Sequence, residues 1–203
     1  MPTFPGKEKQ AFLVKNYLQE IKATGLVFLS LLICIAGSTG ETLAQDGEKS
    51  FLKGTKLYEK GEYEEAVTNF HKALEEGYED QGLLNFSLGN AYLFWNKYER
   101  AIPHFYFALN FKYKDPLEVY YQLSTCYYYT QDYEMSIDFC NRIFEKDSLS
   151  KDPRVYWRLH TIYSVQKEKD KAMEIIKKGA RMGIAEFQSY CTKRGLTWEA
   201  KGN

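Results

Sequence analysis

The sequence predicts an all-α chain, an α-solenoid of about four helix-turn-helix repeats followed by a C-terminal capping helix. Three columns of residues share one period, which is what stacked repeat units require. Small residues recur at spacings of 35, 35 and 36 residues: Ala66, Ala101, Ser136 and Ala172. Nine positions before each of them stands an apolar or aromatic residue: Leu57, Tyr92, Tyr127 and Tyr163. Four positions after each stands another core-type residue: Phe70, Phe105, Cys140 and Ile176.

Composition narrows the possible functions. The chain has 203 residues, of which 44% are hydrophobic, enough to bury an ordinary core. Its formal net charge is zero and it has no basic block, which argues against a nucleic-acid partner. It lacks G-x-S-x-G, H-E-x-x-H and a glycine-rich phosphate loop, so we do not expect an enzyme. No C-x-x-C pair or His/Cys/Asp cluster indicates a metal site, and we expect no cofactor.

Residues 1–44 have the pattern of a secretory signal peptide. The uncharged apolar run from Gly25 to Gly37 is too short for a membrane span of about 20 residues and fits a signal core of about 7–15. Thr42 and Ala44 match a T-x-A cleavage pattern, so we predict cleavage after Ala44 and export to the periplasm or cell envelope. The alternative is that residues 25–37 stay uncleaved as a membrane anchor, and then this segment alone would contact the membrane.

The repeats follow in order over residues 47–81, 82–116, 117–152 and 153–182. Gly61 marks the turn inside the first repeat. Asp115-Pro116 and Asp152-Pro153 open the third and fourth, because a capping Asp followed by Pro at the first helical position favours a helix start. Gly183 is a plausible helix end, and residues 183–203 read as the capping helix and tail.

The second repeat carries the clearest motif, Asn85-x2-Leu88-Gly89-x2-Tyr92 followed by Ala101-x3-Phe105. This pattern resembles the tetratricopeptide repeat (TPR) family, and with the shared period the resemblance covers residues 47–182. It implies two antiparallel helices per repeat, with Gly89 on the first helix facing Ala101 on the second. It also implies a protein-protein interaction scaffold.

In this family the first helices line a concave groove. Residues at i, i+4 and i+7 share a helix face, and here the first position of that face is aromatic in every repeat: Phe51, Phe86, Tyr121 and Trp157. Polar or aromatic residues follow on the same face: Thr55, Asn90, Thr125 and Tyr128. Rings with interleaved hydroxyl and amide groups suit an extended segment, and Asn90 matches a family position that often contacts the peptide backbone. The aromatics could instead pack first helices of adjacent repeats together.

We therefore predict an exported scaffold that binds an extended segment of a cell-envelope protein in this aromatic groove. The alternative is a structural subunit of a membrane-associated envelope assembly, docking through convex or terminal surfaces.

Overall fold

The computed structural model describes residues 40–198, with side chains from residue 45 onward. Within that range it contains nine helices and no strand. The helices are α1 Gly40–Glu59, α2 Tyr63–Glu75, α3 Gln81–Phe94, α4 Tyr98–Asn110, α5 Pro116–Tyr129, α6 Tyr133–Lys146, α7 Pro153–Val165, α8 Lys169–Arg181 and α9 Ala185–Lys193. The predicted all-α class is thereby confirmed for the described residues.

The apolar run at residues 25–37 lies outside the described residues. The cleavage point predicted after Ala44 falls inside α1, and export stays a prediction. Between residues 40 and 198, no helix is both long enough and apolar enough to cross a membrane.

The chain divides into two compact units, and α5 crosses the boundary between Val119 and Tyr120. In the N-terminal unit α1 packs on α2, α3 packs on α4, and α2 packs on α3. In the C-terminal unit α7 packs on α8, α8 on α9 and α6 on α7, while Ser124 of α5 contacts Ser136 of α6. Each unit is thus built of consecutive helices that pack on one another.

Several helices begin directly after an aspartate whose carboxylate caps the helix N-terminus. Asp115 Oδ1 accepts from Glu118 N at 3.1 Å, and Asp152 Oδ1 accepts from Arg154 N at 2.9 Å. In both cases Pro occupies the first helical position, where a missing N–H costs nothing. Asp80 caps α3 in the same way, by accepting from Leu83 N.

Every turn inside a helix pair places one residue in the left-handed region. These residues are Gly61, Asn96, Gln131 and Lys167, with φ of 82°, 59°, 62° and 63°. Only glycine adopts this conformation without steric cost. Three of the four turns therefore hold a mildly strained non-glycine residue, which explains why glycine alone is a poor guide to these turns in the sequence.

The N-terminal unit packs a phenylalanine ring over a glycine in each helix pair. A Cβ added to Gly89 would lie 2.6 Å from Cε1 of Phe105, and one added to Gly54 would lie 2.7 Å from Cδ1 of Phe70. Besides facing Ala101 as the repeat pattern implies, Gly89 leaves room for an aromatic ring. The ring of Phe105 occupies the space that a side chain at position 89 would need.

The C-terminal unit fills the corresponding space with small polar groups. Ser124 takes the place of the glycine, and its hydroxyl lies 3.0 Å from Ser136 Oγ and 3.1 Å from Cys140 Sγ. Burial raises the pKa of the Cys140 thiol to about 11, so the thiol is protonated and inert at neutral pH. In the next pair His160 Nδ1 donates to the carbonyl of Ala172 at 3.1 Å. At these two positions polar contacts replace the ring over a glycine, whereas elsewhere in the unit the ring of Phe187 packs on Gly179.

Helix α9 closes the C-terminal unit over an apolar cluster. Phe187 and Cys191 of α9 are fully buried against Tyr156 of α7 and Ile176 of α8. Trp198, which follows α9, packs on the same cluster. The capping helix thus covers apolar surface that the last helix pair would otherwise expose.

Candidate partner-binding face

In the N-terminal unit the two predicted groove aromatics lie against tyrosines of their own helix pairs. Phe51 stacks on Tyr78 with ring centroids 4.3 Å apart and an interplanar angle of 13°. Phe86 stacks on Tyr113 at 4.2 Å and 14°. Phe51 is only 8% exposed, whereas Phe86 is partly exposed. Of the two rings, Phe86 therefore offers more surface to a partner.

The two stacking tyrosines are not among the predicted site residues, although they repeat with the same period. Tyr78 and Tyr113 are 35 residues apart, and so are Gly47 and Gly82. A Cβ on Gly47 would lie 2.8 Å from Tyr78 N, and one on Gly82 would lie 3.1 Å from Tyr113 N. These glycines let the backbone beside each tyrosine approach the first helix of the pair. The 35-residue register was the signal that could have revealed both pairs.

The polar residues of this face differ in their hydrogen bonding. Thr55 Oγ1 donates to Phe51 O at 3.1 Å, so its proton is used within its own helix. Asn90 Oδ1 is buried and has no hydrogen-bond partner among the described residues. A buried acceptor without a donor costs about 1–3 kcal/mol. Because this oxygen is enclosed, a partner N–H group would reach it only if the Asn90 side chain turned outward.

In the C-terminal unit the structure brings together Tyr121, Thr125 and Tyr128 of α5 with two arginines of α7. The guanidinium carbon of Arg154 lies 4.5 Å from the ring centroid of Tyr121. That of Arg158 lies 4.6 Å from the ring of Tyr128 and 5.8 Å from the ring of Tyr121. Arg158 Nη2 also donates to Thr125 Oγ1 at 3.1 Å. We call these five residues the arginine–tyrosine face.

The two arginines differ in charge balance. Arg154 forms an ion pair with Asp152, with Nη2 2.7 Å from Oδ2. Arg158 is half-buried, and among the described residues it has no carboxylate within ion-pair distance. Its Nε is buried and makes no hydrogen bond within the described part of the chain. This face therefore carries a positive charge with an unused donor.

Neither arginine belongs to the site predicted from the sequence. Arg154 and Arg158 lie three residues before and one residue after Trp157, on the same helix. The repeating aromatic residues alone do not point to them, and the signal that does is the pair of positive charges on the first helix of the fourth repeat.

Trp157, the fourth aromatic residue of the predicted site, packs against the capping helix α9. Its indole Nε1 donates to Glu186 Oε1 at 2.7 Å, and its ring lies 4.9 Å from Phe187 and 5.9 Å from Tyr190. Thr161 Oγ1 donates to Trp157 O at 2.8 Å. Trp157 therefore helps to anchor α9, and only part of its ring faces solvent.

The predicted site residues are divided between the units. Phe51, Thr55, Phe86 and Asn90 lie in the N-terminal unit, and Tyr121, Thr125, Tyr128 and Trp157 in the C-terminal unit. From residue 40 to 198, no group of three or more His, Cys, Asp or Glu side chains could hold a metal ion.

Comparison with known proteins supports the repeat architecture. A tetratricopeptide repeat model matches residues 117–145. No curated protein matches the sequence.

Among solved structures, MamA from Desulfovibrio magneticus RS-1 matches with a TM-score of 0.61 and 20% identity, over 87% of this chain and 96% of that chain. YrrB, described as a TPR protein with an unusual peptide-binding site, matches with a TM-score of 0.57 and 22% identity, over 69% of this chain and 71% of that chain. At such identities the likeness shows the fold alone. The predicted class, an α-solenoid of helix-turn-helix repeats, is confirmed.

Proposed function

We propose that the protein is an interaction scaffold that binds an extended, acidic segment of a partner protein through the first helices of its helix pairs. The observation that carries this proposal is Arg158, a half-buried cation that lies between two tyrosine rings and lacks a carboxylate partner within the described residues. YrrB, whose fold this chain shares, is described as having a peptide-binding site, which supports the same class of function.

The chemistry of Arg158 favours a carboxylate on the partner. Its charge is partly removed from water by Tyr121 and Tyr128, and burying an unpaired charge is costly. A carboxylate would pair with the guanidinium, and a hydrogen bond to a charged group contributes about 1.5–3 kcal/mol. The tyrosine rings can at the same time cover apolar parts of the bound segment. An acidic residue next to an apolar one is therefore the expected recognition element.

The N-terminal unit offers a second, neutral contact. Asn90 Oδ1 lacks a donor among the described residues, and Phe86 lies four residues earlier on the same helix. An extended segment has backbone N–H groups free to donate to Asn90 once that side chain turns outward, while a side chain of the segment can rest on the exposed part of Phe86. Asn90 and Phe86 would thus bind backbone and side chain without requiring a particular sequence.

The test uses the full chain and an array of peptides of about ten residues, a length that suits extended peptide recognition. Each acidic peptide is matched by a copy with Gln and Asn in place of Glu and Asp. We expect acidic peptides to bind and their amide copies to bind at least about tenfold more weakly, in proportion to the lost charged hydrogen bond. Affinity is measured by fluorescence anisotropy at fixed salt concentration.

Two arginine variants provide a matched comparison. Arg158→Gln should remove the preference for the acidic peptides. Arg142→Gln should not, although Arg142 also lies over a ring, that of Phe139 at 5.0 Å, because it is already bonded to Asp138 on α6. Equal affinity for acidic and amide peptides in the wild-type protein would contradict the proposal, as would equal losses in both variants.

We also propose that the protein is exported and that its partner lies in the cell envelope, on the strength of the apolar run at residues 25–37 and the T-x-A pattern before Gln45. N-terminal sequencing of protein from fractionated cells should find Gln45 as the first residue. An intact N-terminus in the membrane fraction would favour an uncleaved anchor, and the structural subunit of a membrane-associated assembly with it. Chemical cross-linking in intact cells would then identify the partner.

A further inference from the structure

Two of the three histidines of the chain meet inside the N-terminal unit, away from the proposed binding residues. His71 lies on α2, Asn85 and Tyr92 lie on α3, and His104 lies on α4. We call these four residues the histidine cluster. They connect the first helix pair, through α2, to the second pair, α3 and α4.

Each ring of the histidine cluster is held by a specific contact. His71 Nε2 is hydrogen-bonded to Tyr92 Oη at 3.0 Å, and His104 Nδ1 donates to Asn85 Oδ1 at 3.1 Å. The His104 ring stacks on the Tyr92 ring at 5.4 Å and 13°, and the two imidazole centroids are 5.7 Å apart. Asn85 is fixed in turn, since its Nδ2 donates to Gln81 O at 2.8 Å. The hydrogen bond between His71 and Tyr92 joins α2 to α3 at this point.

The surroundings of the histidine cluster disfavour a positive charge. His104 and Asn85 are each 4% exposed. Burial, and then the nearby His71, lower the pKa of His104 to about 3. Burial also lowers the pKa of His71, against the opposing effect of Glu75 on the same helix. The charged group that faces the cluster from α4 is Arg100, which lies beside Tyr92.

We propose that the histidine cluster is an acid-sensitive latch that holds α2 against α3 and α4 at neutral pH and releases it when the pH falls. In the closed arrangement both imidazoles are neutral, because two imidazolium ions 5.7 Å apart would repel each other. When α2 separates from α3, both rings reach water and can take up protons. Acid therefore stabilises the open arrangement.

The sign and size of the effect follow from proton linkage. A histidine whose pKa is lower in the closed form favours closure above its ordinary value of 6.5, and this contribution is lost as the pH falls below that value. For one such histidine, the opening equilibrium constant rises about tenfold for each pH unit below 6.5. Between about pH 7.5 and about pH 5 the rise is therefore about 30-fold from His104 alone. This range lies above the ordinary pKa of Asp and Glu, so carboxylates contribute little.

The experiment is amide hydrogen exchange on the full chain at these two pH values, with each rate divided by its intrinsic rate at the same pH. The opening equilibrium constant measured for amides of α2 and of the facing turns of α3 should be about 30-fold larger at the lower pH. Opening of α6 and α8, in the C-terminal unit, should change only a few-fold. Proton NMR of the imidazoles gives an independent readout, because His104 should remain neutral at pH 5 in the folded protein.

Variants separate the latch from a general effect of acid. His104→Gln and His71→Gln keep a polar side chain that does not titrate, and each should reduce the pH-dependent opening of α2. His160→Gln is the control, because His160 is the remaining histidine and lies in the C-terminal unit, bonded to Ala172.

Three results would overturn the proposal: uniform acid loosening of both units, no change in α2, or loss of the pH effect in His160→Gln. Because the first two are measured on the wild-type chain, the proposal can fail even if a histidine variant does not fold.

Discussion

The N-terminal and C-terminal units place different side chains at equivalent positions of the same helix pair. In the N-terminal unit the ring of Phe105 fills the space over Gly89. In the C-terminal unit Ser124 brings its own Cβ to that position, and the ring is replaced by the smaller Cys140. The space between the two helices of a pair can thus be filled either by a ring over a glycine or by two small residues, and both arrangements keep the interior close-packed.

A second difference decides which aromatic residues a partner can reach. Tyr113 covers Phe86 in the N-terminal unit, but the residue 35 positions later is the exposed Ser148. Tyr121, which corresponds to Phe86, has Arg154 on its ring instead. Where the N-terminal unit has the loop residue Tyr113 and a stacked aromatic pair, the C-terminal unit has Ser148 and an arginine over the ring of Tyr121.

The largest expected effect is on stability, from removal of the Phe105 ring that packs over Gly89. Phe105→Ala removes a fully buried ring and should lower the free energy of unfolding by about 3–5 kcal/mol. Cys140→Ala, at the equivalent position, removes one sulfur atom and should cost much less. Chemical denaturation followed by far-UV circular dichroism measures both. Equal costs would mean that the two units do not share this packing position.

A smaller effect is expected at the glycine itself. Gly89→Ala places a Cβ 2.6 Å from the Phe105 ring and should lower the free energy of unfolding by about 1–3 kcal/mol, despite the better helix propensity of alanine. Phe105→Leu should recover part of this loss in the double variant. Ser124→Ala introduces no new Cβ and should cost about 1 kcal/mol through its lost hydrogen bonds. If Gly89→Ala stabilised the protein, the ring could not lie where we describe it.

The smallest effect concerns the loop tyrosine. A double-mutant cycle with Phe86→Ala and Tyr113→Ala should give a coupling energy of about 0.5–1.5 kcal/mol, as expected for a stacked aromatic pair. The same cycle with Tyr121→Ala and Ser148→Ala should give a coupling near zero, because Ser148 is exposed. Denaturation midpoints of the single and double variants provide the values. A coupling in the second cycle as large as in the first would remove the distinction between the units.

Much of the fold could be predicted because the period of the sequence reflects the period of the packing. Ala101 and Phe105 are fully buried as their columns predict, and Asp152-Pro153 opens a helix as its capping chemistry predicts. Cys126, Cys140 and Cys191 are buried, as small core residues are. These features depend on contacts inside one repeat, which a local pattern records.

The candidate site was less predictable. The sequence placed Tyr121, Thr125 and Tyr128 on one helix face, and the structure adds Arg158 from a helix about 30 residues away. It also places Trp157 against Glu186 of the capping helix, which turns a predicted binding residue into a partly structural one. Both outcomes depend on which helix lies next to which, and the repeat columns carry no such information for polar or charged side chains.

The sequence by itself determined the helical class, the repeat length and the residues that face the core, because burial of apolar side chains imposes its period on the chain. The tertiary structure decided which rings are covered, which charge lacks a partner, and that two histidines 33 positions apart share one buried cluster. Hydrophobic burial is summed over many positions, and one apolar side chain can replace another at most of them without changing the fold. A hydrogen bond or an ion pair depends instead on two particular atoms within about 3–4 Å, and only the folded chain sets that distance.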